Sequence, residues 1–158
     1  MNPLVSVIVP TYNSSRTLTE CLSALKEQNY KNIEVIITDS FSNDQTKEIA
    51  RKFTDKIIDA ESLALARKKG VELAKGKYIL FLDSDQIINP DTIELSVKAC
   101  EEDGYDGVTH FERSKIYKNT FVERLINYDK WIFHSEEDDD PIYGTAEPRF
   151  FKTDFVRR

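Results

Sequence analysis

Asp83 and Asp85 stand one residue apart at the end of the apolar run Tyr78-Ile79-Leu80-Phe81-Leu82. So short and so apolar a run reads as a strand buried on both faces. The carboxylates then lie at its C-terminal end, where open α/β sheets bind ligands. Alternation of side chains along an extended segment directs both carboxylates to one side, where one ligand or one metal can use both. Hard cations such as Mg²⁺ and Mn²⁺ take one or two carboxylates and complete their shell with substrate phosphates. The pair points to a nucleotide diphosphate held through a metal.

The elements that must position this pair are legible from periodicity. Val5-Ser6-Val7-Ile8-Val9 is a β-branched run stopped by Pro10, and Thr17-Leu18-Thr19-Glu20 is a capping-box pattern opening a helix to about Gln28. A second strand runs from Ile33 to Thr38 and ends in Asp39, followed by a polar loop and a helix from Asp44 to Phe53. Lys56 to Asp59 is a short strand candidate, and Ser62 to Lys75 has helical spacing. After the strand ending at Asp83, Asn89-Pro90-Asp91 supplies an N-cap residue and a proline at the first helical position, opening a helix to about Glu102. Strands alternating with helices predict a mostly parallel sheet with helices on both faces. Beyond Gly104 the expectations are a strand over 106–112, an aromatic-rich helix over 120–133, a solvated acidic loop at 136–141 and a short last strand from Arg149 to Phe151.

Composition narrows the class. The chain of 158 residues has a net charge of −6 with both signs interspersed, which argues against a nucleic-acid partner. Cys21 and Cys100 are far apart on predicted helices, so the expectation is two buried thiols in a reducing compartment. No apolar run approaches the ~20 residues that span a bilayer, and the N-terminus lacks a signal peptide's apolar stretch. One soluble, cytoplasmic domain is expected, with peripheral association at the inner membrane surface left open.

Three loops follow the first, second and fourth predicted strands: Pro10-Thr11-Tyr12-Asn13, Asp39-Ser40-Phe41-Ser42 and Asp83-Ser84-Asp85. A parallel sheet brings all of them to one end. Together with the run Ala66-Arg67-Lys68-Lys69-Gly70 through Ala74-Lys75-Gly76, they resemble the family 2 glycosyltransferases of the GT-A fold over about residues 4–95. The resemblance implies an α/β/α three-layer sandwich with a mostly parallel central sheet. It divides the single domain into a nucleotide-sugar-binding half, 1–104, and the start of an acceptor-side half, 105–158.

The implied reaction moves a sugar from a nucleotide-diphosphate donor to an acceptor hydroxyl with inversion. The same resemblance implies that Pro10, Thr11 and Tyr12 line the base pocket and that Asp39 accepts a hydrogen bond from uracil or guanine. Asp83 and Ser84 contact the donor, Asp85 with Asp83 holds Mn²⁺ or Mg²⁺, and Arg67 contacts phosphate or ribose. Lys68 stands where relatives carry Asn, and Ser40 where many carry a second Asp. The acceptor, whether glycan, lipid or protein, is not specified.

Inversion requires a general base near the attacking oxygen. No motif for it is present; Glu147 is the nearest substitute, and the catalytic residue stays unknown. The expectation is a catalytic domain that keeps its donor half and ends before the base. The alternatives are a nucleotide-sugar-binding module without transferase activity and a nucleotidyltransferase, although 10–16 lacks the glycine-rich phosphate loop of the latter. An EF-hand from Asp83 fails, because Ile88 stands where glycine is required and Ile87 where an oxygen ligand is needed.

Overall fold

The computed structural model describes residues 2–110 and 149–157. The chain divides into two compact units, Met1–Val108 with Arg149–Arg158, and Thr109–Pro148. The sheet and the helices packed on it belong to the first unit. The helix expected over 120–133, the acidic loop at 136–141, Glu147 and the remainder of the strand expected beyond His110 lie outside the described residues.

Six strands form one sheet in the order β3-β2-β1-β4-β6-β5. They are β1 (Val5–Thr11), β2 (Ile33–Asp39), β3 (Ile57–Asp59), β4 (Tyr78–Phe81), β5 (Gly107–Val108) and β6 (Phe150–Lys152). The helices are α1 (Leu18–Lys26), α2 (Thr46–Ala50), α3 (Leu63–Leu73), α4 (Thr92–Glu102) and the short α5 (Thr153–Val156). The pairs β1–β2, β1–β4 and β2–β3 are parallel, whereas β6 runs antiparallel to both β4 and β5. The first four strands therefore end on one side of the molecule.

Burial on both faces explains why β1 and β4 are largely apolar. Val5, Val7 and Val9 of β1 and Tyr78 and Leu80 of β4 pack with Leu18, Leu22 and Leu25 of α1 and Ile93 and Val97 of α4. The intervening Ile8 and Ile79 pack on the opposite face with Ile36, Val71 and Ala74. Each strand needs both faces apolar because helices cover both. On that second face Gly70 of α3 lies over β1 so closely that a Cβ there would come within 2.5 Å of Ile8 Cγ2.

Several local details differ from the sequence expectations. Pro10 does not stop β1, which continues to Thr11. The odd-numbered residues of β1 direct their backbone groups to β2, as in Val5 N–H to Asn32 O and Ser40 N–H to Thr11 O. The even-numbered ones face β4, whose last register partner is Phe81 opposite Ile8. Pro10 thus presents its missing donor where no strand remains, and the ladder loses nothing. The Thr17 capping box does not form; the Thr17 hydroxyl donates to Ser14 O instead. Helix α2 covers only the middle of its expected span, and α4 begins at Thr92 with Asp91 as N-cap, not at Asn89.

At the opposite end of the sheet Glu34 organises the chain. Its carboxylate accepts from the Ser6 hydroxyl, from Lys56 Nζ and, at 2.7 Å, from Lys75 N–H. The Ser6 hydroxyl in turn accepts from Gly76 N–H at 2.9 Å, which fixes the entry to β4. Burial alone would push the Glu34 carboxyl up, but the bonds from Lys56, Ser6 and Lys75 outweigh it and hold it below its ordinary value. Gly76 sits so close to β1 that a Cβ would lie 2.7 Å from both Leu4 O and Ser6 N.

Two substitutions test this corner. Gly76→Ala should cost about 1–3 kcal/mol in urea unfolding, since backbone must shift to admit the methyl group. Glu34→Gln should cost about 1–3 kcal/mol at pH 7. Because the folded-state value of Glu34 is depressed, its contribution is fully present above the unfolded carboxylate value of about 4.3 and fades as pH falls through the folded value. Urea titrations of wild type and variant should therefore converge as pH falls below that depressed folded value.

Candidate functional site

The sheet reverses its direction of growth at β1, with β2 and β3 added on one side and β4 on the other. Such a switch point opens a crevice between the loops that leave the adjacent strands. Here the β1–α1 loop is bonded to the loop after β2 and, through Ser14 and Ser84, to the β4–α4 loop.

The first loop is laced to the loop after β2. Asn13, at φ 47°, donates its N–H to Ser42 Oγ at 2.8 Å and accepts from Asn43 N–H on its side-chain oxygen at 3.0 Å. Ser14 N–H donates to Thr46 Oγ1 at 2.7 Å, and Ser15 N–H to Asp44 at 3.1 Å. Asp44 is thereby held well below the usual carboxylate range, chiefly by the Thr46 hydroxyl. A rigid rim results, from which Tyr12 projects with 67% of its surface exposed. Tyr12 lines a cleft of about 430 Å³ together with Pro10, Thr11, Ser40, Glu61, Ser62 and Leu63.

Asp39 lies behind this cleft, not in it. Register pairs it with Thr11, whose hydroxyl donates to Oδ1 at 2.8 Å. Ser42 adds its Oγ to Oδ1 at 2.6 Å and its N–H to Oδ2 at 2.8 Å, while Lys47 Nζ approaches Oδ2 at 3.5 Å. Asp39 is fully buried and its acceptor positions are committed within the protein. A base can reach Oδ1 only if the Thr11 or Ser42 hydroxyl turns away.

The acidic triplet is not extended. Strand β4 ends at Phe81, and Gln86 N–H donates to Asp83 O at 3.0 Å, closing a turn around Ser84 and Asp85. The alternation expected to align both carboxylates therefore does not apply, and their environments differ. Asp83 accepts from Arg149 Nη1 at 2.8 Å and faces Arg67 Nη2 at 3.7 Å. Asp85 is exposed. Ser84 Oγ meets Ser14 Oγ at 2.8 Å, tying the turn to the Tyr12 loop across the crevice. Below it, Cys21 Sγ donates to Asp83 O at 3.6 Å; burial, then Asp85 and Asp83, push that thiol up to about 12. It stays a protonated donor.

The structure thus gathers Pro10, Thr11 and Tyr12 around one cleft, with Asp39 buried beneath them, and joins Arg67, Asp83 and Ser84 beside it. Sequence reasoning missed Ser14, Ser42, Cys21 and Arg149. The hydroxyls and the thiol are unremarkable in a sequence, and Arg149 arrives only through the antiparallel pairing of β6. Among the described residues no group of three or more His, Cys, Asp and Glu is placed to hold a metal. Asp85 is nevertheless an accessible hard-oxygen donor, suited to a divalent cation that takes its remaining ligands from a diphosphate. Arg67 Nε is buried without a hydrogen-bond partner among the described residues, an unspent donor beside the turn.

Known proteins share this fold. The solved structure of TarS 1–349 from S. aureus in complex with UDP superposes with a TM-score of 0.74 at 25% identity, over 98% of this chain and 48% of that one. The mannosyltransferase PcManGT from Pyrobaculum calidifontis, solved with GDP-Man and Mn²⁺, superposes at 0.73 with 23% identity, over 100% of this chain and 47% of the other. The glycosyltransferase GlyG of Streptococcus pneumoniae serotype 4 is 35% identical over 116 residues, 68% of this chain and 38% of its own length. The chain thus spans less than half of each of these relatives. The fold is that of the GT-A glycosyltransferases, and the model of the family described as Glycosyl transferase family 2 matches residues 6–156. The chain belongs to glycosyl transferase family 2.

Proposed function

We propose that this unit binds the nucleotide-sugar donor of an inverting glycosyltransferase, with a divalent cation at Asp85. The observation that carries the reading is the crevice at the switch point. The cleft under Tyr12 offers an exposed aromatic ring and a proline for a flat base, and the 83–86 turn offers the Arg67 guanidinium that faces it and the exposed Asp85 carboxylate for a diphosphate and its counter-ion.

Each group has a chemical task. Tyr12 stacks on the base, and Thr11 and Ser40 offer hydroxyls to its edge. Asp39 acts mainly through Thr11 and Ser42, which it orients, and accepts directly from a base N–H when one hydroxyl swings aside. Arg67, with its unspent Nε–H, contacts the ribose or phosphates. A bound Mn²⁺ or Mg²⁺ supplies Lewis-acid stabilisation of the departing diphosphate. TarS was solved with UDP, and PcManGT with GDP-Man and Mn²⁺, which supports a nucleotide donor and a metal without selecting the base for this chain.

The test is a thermal-shift and calorimetric panel of UDP- and GDP-sugars with and without Mn²⁺. At about one hundred times Kd a ligand adds about 2.7 kcal/mol to stability, so a metal-dependent rise of several degrees is expected with one base class. Asp85→Ala should abolish the metal dependence. Tyr12→Ala should weaken nucleotide binding about 5- to 100-fold, the range of base–aromatic stacking. No stabilisation by any donor, with or without Mn²⁺, would remove the reading. Donor binding without sugar transfer would leave a binding module.

A further inference from the structure

Arg149 reaches the acidic turn from the start of β6, the strand next to β4. Because β6 is antiparallel to β4, with Phe150 opposite Leu80, its beginning lies where β4 ends. The Arg149 backbone is pinned on both sides, its N–H donating to Val108 O at 3.2 Å and its carbonyl accepting from Phe81 N–H at 2.8 Å. From that fixed base Nη1 donates to Asp83 Oδ2 at 2.8 Å and to Gln86 Oε1 at 3.4 Å. Gln86 Oε1 also accepts from Asp83 N–H at 3.0 Å. One guanidinium therefore holds both ends of the turn that carries Asp85.

We propose that Arg149 is a positioning residue that divides the acidic pair, neutralising Asp83 and leaving Asp85 as the member open to a divalent cation. The proposal rests on the donor-binding reading above. Two bare carboxylates in one tight turn would attract a cation with or without nucleotide. With Arg149 on Oδ2 and Arg67 facing Oδ1, the charge of Asp83 is already answered. A single exposed carboxylate holds a cation weakly, so firm binding needs the diphosphate as well. Arg149 in this way makes cation binding depend on the donor.

Calorimetry distinguishes this from a purely structural role. Mn²⁺ alone, and UDP and GDP with and without Mn²⁺, are titrated into wild type, Arg149→Gln and Arg149→Lys. Lys152→Gln, which removes the neighbouring pair to Asp106, serves as control. In Arg149→Gln, Mn²⁺ alone should bind about threefold more tightly or better, the scale of removing one nearby positive charge. The factor by which Mn²⁺ strengthens nucleotide binding should fall by a similar amount. Arg149→Lys keeps the charge and should keep the wild-type affinity for Mn²⁺ alone, but it cannot span Asp83 and Gln86 and should bind nucleotide about threefold more weakly with Mn²⁺ present.

Equal weakening of both ligands in Arg149→Gln, or no change in either, overturns the proposal. Should the Gln variant fail to fold, Arg149→Lys decides: unchanged nucleotide binding overturns it as well. Wild type that binds no nucleotide fails the donor-binding reading instead, which separates the two.

Discussion

Strand β1 is hydrogen-bonded along both edges and buried on both faces, and the position of every site residue depends on that placement. Its parallel pairing with β2 sets Thr11 opposite Asp39, and its pairing with β4 sets Ile8 opposite Phe81. Since β4 stops there, β1 and β2 project beyond it by a few residues. The step so created leaves room on the β4 side for the 83–86 turn and on the β1 side for the cleft under Tyr12. A one-residue slip in the β1–β2 ladder would move Thr11 away from Asp39, and a slip in either ladder would exchange the faces of the strand that moves. The apolar cores on both faces forbid the slip, so burial at the centre of the sheet fixes geometry at its end.

Carboxylates near the crevice are treated in three ways, and the differences follow from solvation. Asp39 has no access to water, so its charge is met by two hydroxyls, a backbone N–H and the more distant Lys47. Lys47 is itself divided between Asp39 and Asp59, at 2.6 Å from the latter, which holds its ammonium above the ordinary value. Asp83 is half-exposed and paired with guanidinium groups. Asp85 is solvated. Asp85 can change partners without leaving a buried charge unmet, whereas Asp39 is a structural acceptor.

Much of this architecture is legible in the sequence because short-range patterns carry it. The runs at Val5, Ile33 and Tyr78 specify strands of the right type and order, and the polar loops after them specify a common ligand end. Local geometry that patterns do not encode is where the expectations fail. Period-two alternation does not extend past Phe81 into a segment that turns, so it cannot be used to orient Asp83 and Asp85. Pro10 reads as a stop because propensity cannot know that β4 is too short to need its N–H. The Thr17 capping box loses to a competing acceptor, Ser14 O, supplied by a loop already fixed through Thr46 and Ser84. Asp39 stands out in the sequence, but its bonds from Ser42 do not, since they form across a turn in which Phe41 adopts φ 56°.

The antiparallel strand answers a geometric problem that a parallel sheet cannot. Each parallel strand delivers to the ligand end the residue that follows it, so every further contribution from such a strand requires a crossover of a dozen or more residues. An antiparallel strand delivers the residue that precedes it. Arg149 reaches Asp83 from a separation of 66 residues, and its backbone is locked between β4 and β5 before its side chain extends. Stacking of Phe150 on Tyr78, at 5.1 Å between ring centres, anchors that strand from the core side. The charge beside the acidic turn is thus held by the same ladder that completes the sheet, and fold and electrostatics cannot be altered independently at this point.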